Sequence, residues 1–193
     1  MDMMMNLKQA TAIAIAIGML AGCEVEVTKD DVTGEALAAA ETKLAAAEAK
    51  LGKVAEYDEQ IAAVNTWIEI WGSADVDKLD AVAMSDYSRT APDLNANSLD
   101  EVKAFMLQVH AAYPDYKITN DGIVAGPDGV FVQWTVTGSD TGRGEDATGN
   151  ALRVTGISRY WFSDGKIARE LVIFDTGAVL TQLETAEMPH TAD

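Results

Sequence analysis

The stretch VFVQWTVTGSDTGRGEDATGNALRVTGISRYWFSDGKIARELVIFD, residues 130–175, decides the fold class of this chain. It contains runs of β-branched and aromatic residues, which favour strands over helices. Ser163-Asp164-Gly165 separates the last two runs with turn-forming residues, and Pro127-Asp128-Gly129 stands before the first run in the same way. The pattern predicts four strands joined as antiparallel hairpins, at 116–124, 130–139, 150–163 and 166–175.

Helices are predicted before these strands. Apolar residues at helical spacing indicate a first helix that ends at Gly72 and Ser73, and a second, short helix follows near 76–82. After a short strand, Ser98 and Glu101 form a capping box that opens a third helix. Helices followed by antiparallel strands predict an α+β fold. This order in about 125 residues fits a curved antiparallel sheet wrapped around a helix as a cone, with a pocket inside.

Composition and charge exclude several classes of function. The chain has 31 Asp and Glu against 14 Lys and Arg, so its net charge is -17. Such an acidic chain is poorly suited to bind nucleic acid phosphates or anionic lipid through charge. One Cys and two His exclude a disulfide framework and a Cys- or His-rich metal site. Because the sequence has neither a phosphate-binding glycine loop nor a spaced ligand set, we predict no cofactor and no metal.

The N-terminal residues have the features of a bacterial lipoprotein signal. Lys8 precedes a small and apolar run at 10–20, which is too short to span the roughly 30 Å of bilayer hydrocarbon as a helix. The run leads into Leu20-Ala21-Gly22-Cys23, which resembles a lipobox, so the Cys23 thiol would receive diacylglycerol. The alternative is a buried free Cys in an ordinary helix. We expect a lipid-anchored, periplasm-facing envelope protein, and Glu24 favours the outer over the inner membrane.

A heptad pattern follows. Leu37, Leu44 and Leu51 are seven residues apart, and each is followed three residues later by Ala or Val. Two interpretations stay open: a coiled coil between copies, or a solvated spacer helix, since alanines bury little area and Gly52 weakens a helix. The predicted organisation is a signal peptide, a flexible tether, the heptad helix, a folded domain and a polar tail, at 1–22, 23–34, 35–57, 58–184 and 185–193.

Short motifs follow one another through the second half of the chain. In order they are Thr137-Gly138, Thr141-Gly142, Thr148-Gly149, Gly156-Ile157, Asp164-Gly165-Lys166-Ile167, Glu170, Asp175, Leu180 and Gln182-Leu183. The ordered set resembles the SnoaL-like polyketide cyclase (ester cyclase) family of the nuclear transport factor 2-like superfamily. The resemblance covers about 60–184 and implies the cone fold, dimers through the outer sheet face, and an acid/base Asp at the end of the last strand. The charged stretch 143–147 departs from the family, whose loop there is longer and more apolar.

Asp175 is the candidate catalytic residue. Strict alternation along the last strand places it on one face with Ile167, Leu171 and Ile173. We expect that face to line the pocket, where loss of hydration would suit the carboxyl group to proton transfer next to a carbonyl. The alternative is a structural carboxylate that caps the segment beginning at Thr176.

Four aromatic residues and one arginine are the candidate ligand contacts: Trp67, Trp71, Tyr87, Trp134 and Arg153. The same aromatics could instead be core residues, and Arg153 could lie on the surface. We expect a small, mostly apolar ligand, a homodimer, and either cyclase, isomerase or hydrolase chemistry at Asp175 or binding without catalysis. A third hypothesis is an envelope lipoprotein whose heptad helix drives oligomerisation.

Overall fold

A computed structural model describes residues 34–184, which form four α-helices and a five-stranded sheet. The helices are α1 (Gly34–Ser73), α2 (Leu79–Val82), α3 (Leu99–Ala112) and α4 (Thr176–Leu183). The strands are β1 (Ala83–Thr90), β2 (Lys117–Gly126), β3 (Gly129–Ser139), β4 (Ala151–Ser163) and β5 (Lys166–Phe174). The α+β class and the four long strands are therefore confirmed. The predicted signal peptide, Cys23, nearly all of the tether and the polar tail lie outside the described residues.

Helix α1 joins the heptad segment and the first helix of the domain without a break. It continues through Gly52, since one glycine weakens a helix without ending it. The chain divides into two units, Met1–Glu56 and Tyr57–Asp193. Within the first unit the heptad side chains Leu51 and Val54 are 59% and 55% exposed. No helix in residues 34–184 combines the length and the hydropathy that crossing a bilayer requires.

The sheet has the order β1-β5-β4-β3-β2. Strands β2 to β5 are antiparallel neighbours joined by turns or short connections, as expected. The β1 edge differs from the expected antiparallel arrangement, because β1 lies parallel to β5. These two strands are distant in sequence, so no hairpin turn dictates their relative direction.

The core of the second unit lies between the inner sheet face and the helices. In β4 burial alternates residue by residue, with Leu152, Val154 and Tyr160 inward. Helix α3 begins as predicted, because the Ser98 hydroxyl accepts a hydrogen bond from the Glu101 backbone N–H at 3.3 Å. The Glu101 carboxylate accepts from the Asn97 backbone N–H, one residue before the position that a standard capping box would use.

A bulge in β5 changes which of its side chains face the core. Trp161 pairs with Arg169 and the next residue of β4 pairs with Ile167, so Ala168 is an extra residue in the ladder. Such a one-residue shift moves the later side chains to the opposite face. Ile167 is buried, but Ile173 is 61% exposed and Asp175 is also exposed. The prediction that Asp175 faces the apolar interior is therefore wrong.

The connection between β3 and β4 is organised around a fully buried carboxylate, Asp140. Arg143 donates from Nε and Nη2 to its two oxygens at 2.9 and 2.7 Å. Thr148 donates from its backbone N–H and its hydroxyl, both at 2.9 Å. The hydrogen bonds from Arg143 are the main reason that the pKa of Asp140 falls from 3.8 to about 2.

We expect Asp140→Asn to lower the free energy of unfolding by about 2 kcal/mol at neutral pH. The pKa of Asp140 is lower in the folded than in the unfolded protein. Its stabilisation is therefore complete above about pH 5 and is lost as the pH falls towards 2. Urea unfolding measures the difference in free energy of unfolding between wild type and variant, and this difference should be about half as large at pH 3 as at pH 7. Asp146→Asn, an exposed acid of the same loop, is the control. A difference that does not change with pH would contradict the prediction.

Candidate functional site

A cavity of about 550 Å³, a volume that includes space open to solvent, lies on the inner face of the sheet. Its walls come from all the strands except β2 and from helices α1, α3 and α4. Most lining side chains are aromatic or aliphatic, among them Trp71, Phe105, Tyr113, Trp134, Leu152 and Phe174. A lining of this kind is typical of small-molecule sites in proteins.

A second cavity of about 330 Å³, which also includes space open to solvent, adjoins the first. The two share Trp71, Arg89, Trp134 and Val136 as lining residues. The second cavity adds polar groups, above all the carboxylate of Glu170. The combined space is therefore apolar over most of its surface and polar at one end.

Arg89 and Glu170 form this polar end because strands β1 and β5 place them opposite each other. They are only 6% and 4% exposed. Arg89 Nε lies 3.4 Å from Glu170 Oε2, and Arg89 Nη1 donates to Asp93 Oδ1 at 2.8 Å. Burial alone would lower the pKa of Arg89, but the two carboxylates outweigh burial and raise it. The guanidinium is therefore permanently charged.

Two tyrosines surround Glu170. The Tyr87 hydroxyl donates to Glu170 Oε2 at 2.6 Å, and Tyr160 also interacts with this carboxylate. Burial, reinforced by the charge of Glu170, raises the pKa of both hydroxyls well above the usual value. Both tyrosines are therefore neutral hydrogen-bond donors at physiological pH.

Trp71 and Trp134 line both cavities. The Trp134 indole is held by a hydrogen bond from Nε1 to the Ser158 hydroxyl at 3.0 Å. Gly156 leaves the space that this ring occupies, because a Cβ at this position would overlap with Trp134 Cζ2.

Trp67 and Tyr87 lie in the core instead of the cavity wall. Both are fully buried, their ring centroids are 5.0 Å apart, and neither lines the two cavities. Their expected place in the pocket is therefore corrected. The helical spacing predicted that Trp67 and Trp71 lie near each other. They are one turn of α1 apart, and this distance is enough to place Trp67 in the core and Trp71 at the cavity.

Arg153 and Asp175 also lie away from the cavity. Arg153 is exposed on the outer face of β4, and its backbone pairs with the Gln182 side chain. Asp175 is the N-cap of helix α4, where its Oδ1 accepts from the Ala178 N–H at 3.0 Å. The contacts of Asp175 are thus those of a structural carboxylate that caps the segment beginning at Thr176.

The residues that sequence analysis missed are Arg89, Asp93 and Glu170. Glu170 appeared only as a motif position, although the residues two before and two after it, Ala168 and Val172, are apolar, which is a signal for a buried polar group. Its partner Arg89 carries no such signal, since the pairing depends on tertiary structure. Within residues 34–184 no cluster of three or more His, Cys, Asp or Glu side chains is placed to bind a metal.

Comparison with known proteins agrees with this architecture. The chain is similar to a proposed SnoaL-like polyketide cyclase from Jannaschia sp. CCS1, at 17% identity and a TM-score of 0.60 over 68% of this chain and 95% of that one. AclR, a proposed hydroxylase from Streptomyces galilaeus, is 23% identical, with a TM-score of 0.58 over 69% of this chain and 86% of AclR. IdmH, a proposed polyketide cyclase from Streptomyces antibioticus, is 20% identical, with a TM-score of 0.57 over 65% of this chain and 99% of IdmH.

At these identities the solved structures establish the fold alone. No curated protein sequence matches significantly. The family model of the SnoaL-like domain matches residues 64–170, which is more than half of the chain. By that match, this chain belongs to the SnoaL-like domain family.

Proposed function

We propose that the domain binds a small, mostly apolar molecule in the cavity beside Trp71 and Trp134, as a cyclase-type protein would. The observation that carries this proposal is the aromatic and aliphatic lining of the cavity on the inner face of the sheet. An apolar ligand gains about 25 cal/mol for each Å² that it removes from water. Membership of the SnoaL-like family and the proposed cyclases among the structural neighbours support a ligand of this class.

We expect Trp71→Ala to weaken binding of acetylnaphthalene about tenfold or more, because it removes an aromatic wall shared by both cavities. Isothermal titration calorimetry on the full chain measures this change. Trp161→Ala is the matched control, since Trp161 lies on the other sheet face, where Arg169 stacks on it 3.6 Å from the ring centroid. Equal affinity in both variants, or no binding by the wild type, would contradict the proposal.

A narrower hypothesis adds acid/base chemistry at Asp175. Asp175 itself is exposed and caps helix α4, so the support is limited to its sequence neighbours Phe174 and Val179, which line the cavity. The hypothesis expects the protein to catalyse exchange of the acetylnaphthalene methyl protons with D2O, and expects Asp175→Asn to abolish that exchange. The variant should lose only about 1 kcal/mol of stability through the weakened cap. Unchanged exchange would remove Asp175 from the mechanism.

We also propose that Cys23 anchors the chain by acylation to the periplasmic side of the bacterial envelope, with the outer membrane favoured. The support is the lipobox-like Leu20-Ala21-Gly22-Cys23 after a short apolar run. Cys23→Ser should move the protein from the membrane to the soluble fraction, and the intact mass should lose the acyl groups. A variant that stays with the membrane would contradict the proposal.

A homodimer is the expected assembly, and two surfaces compete for the interface. The outer sheet face exposes Ile157 and Ile173, and the heptad segment exposes Leu51. Sedimentation of two double variants of the full chain distinguishes the two surfaces. The first variant carries Ile157→Asp and Ile173→Asp, and the second carries Leu44→Asp and Leu51→Asp. Loss of the dimer only in the first variant supports the sheet face, and loss only in the second supports an oligomerising heptad helix. A monomeric wild type would contradict both.

A further inference from the structure

The first cavity extends along the paired strands β3 and β4. Its lining residues on β3 are Trp134, Val136 and Gly138, every second residue of the strand. Trp134 and Val136 also line the second cavity, which contains Glu170, whereas Gly138 lines the first cavity alone. Gly138 pairs with Leu152 of β4, which also lines only the first cavity. This pair therefore marks the end of the combined space opposite its polar end.

Tyr113 stands at this end of the cavity. It directly follows helix α3, is only 2% exposed, and lines the first cavity but not the second. Its side chain packs on Gly138, since a Cβ added to that glycine would lie 3.2 Å from Tyr113 Cβ and 3.6 Å from Tyr113 Cγ. The glycine thus leaves the space that Tyr113 occupies.

Backbone hydrogen bonds fix Tyr113 on both sides. Its N–H donates to the Val109 carbonyl oxygen, and its own carbonyl oxygen accepts from the Tyr116 N–H, both at 2.9 Å. The loop after β3 packs on the same turn, where the Gly142 N–H donates to the Ala112 carbonyl oxygen at 3.0 Å. A Cβ on Gly142 would overlap with the end of α3. Tyr113 therefore has a fixed position in the cavity wall.

A polar network lies next to Tyr113, in the connection between β3 and β4. Burial, together with the charge of Asp140, raises the pKa of the Tyr113 hydroxyl, which places this hydroxyl near the carboxylate. Asp140 is fully buried and accepts hydrogen bonds from Arg143 and Thr148. An apolar ligand that reached into this network would disrupt hydrogen bonds of a buried charge, at a high cost in free energy.

We infer that Tyr113 determines the length of the ligand, because its ring closes the cavity at the end formed by Gly138 and Leu152. The inference rests on the proposed function, since it concerns the ligand of the same cavity. Removing the ring extends the apolar space at this end. Enlarged apolar cavities of this kind stay dry and bind aromatic molecules.

Two probes that differ by one fused ring, acetylnaphthalene and acetylanthracene, test this inference by fluorescence titration of the full chain. The wild type should bind acetylanthracene about tenfold more weakly than acetylnaphthalene. Tyr113→Ala should reverse this order, because the third ring enters the vacated space and leaves water. Tyr113→Phe keeps the ring and removes only the hydroxyl, so its affinity ratio should equal that of the wild type.

Two further variants complete the experiment. Leu152→Ala enlarges the same end from β4 and should also shift the ratio towards acetylanthracene, so it decides the question if Tyr113→Ala does not fold. Leu107→Ala, at a residue of α3 that is 50% exposed, is the control and should leave the ratio unchanged.

The outcomes separate this inference from the proposed function. If the wild type binds both probes equally, or if truncation at this end leaves the ratio unchanged, the inference is overturned while the proposed function stands. If neither probe binds the wild type, the proposed function fails and this inference fails with it.

Discussion

Replacing Trp67 with alanine should lower the free energy of unfolding by about 3–5 kcal/mol. Trp67 is fully buried, and its ring packs against Tyr87 and Tyr160 with centroids 5.0 and 6.3 Å apart. Truncation leaves a cavity in the middle of the core, and neighbouring side chains can fill it only in part. Urea unfolding followed by circular dichroism measures the loss.

Two further variants make this result specific. Trp67→Phe should cost much less, because it keeps most of the packing and because the indole N–H makes no hydrogen bond within residues 34–184. Trp71→Ala should affect ligand affinity more than Trp67→Phe does, since Trp71 lines the cavities and Trp67 does not. A loss below about 1 kcal/mol for Trp67→Ala would mean that the core is not packed around this ring.

The second large effect is expected at Glu170. Glu170→Ala should destabilise the domain by about 3–5 kcal/mol, because it removes both the buried acceptor of the Tyr87 hydroxyl and one of the two carboxylates beside Arg89. Arg89 would retain Asp93, but the Tyr87 hydroxyl would lose its acceptor at 2.6 Å. The free energy of unfolding from urea denaturation at neutral pH is the measurement.

Glu170→Gln serves as the matched control for this prediction. Glutamine has the same shape and keeps an oxygen that can accept from Tyr87, so only the charge of the pair with Arg89 is removed. We expect a loss well below that of the alanine variant. Equal losses in the two variants would show that charge, and not the complete network of hydrogen bonds, determines the stability of the polar end.

The parts of the fold that sequence analysis predicted correctly depend on local interactions. Ser98 and Glu101 are three residues apart and cap the same helix, so their contact needs no knowledge of the rest of the chain. Burial alternates along strand β4 because successive side chains point to opposite faces of the sheet and one face is buried. The turn at Asp164 and Gly165 similarly follows from residues that tolerate positive φ angles, 50° and 76° here.

The errors came from features that are not local. Alternation was extended through β5 as if the strand were regular, but the extra residue Ala168 changes the face of everything after it. No residue type in the sequence marks that bulge. As a result, Asp175 was placed inside the pocket, and the side chain that does face inward, Glu170, was not considered for the site.

The parallel pairing of β1 with β5 has a consequence for how the domain matures. Tyr87 and Glu170 are 83 residues apart, and the strand that carries Glu170 is the last one to leave the ribosome. Arg89 has no opposing strand before then, so its ion pair with Glu170 cannot form until β5 has been synthesised. The polar end of the cavity therefore depends on contact between the two ends of the domain, β1 and β5.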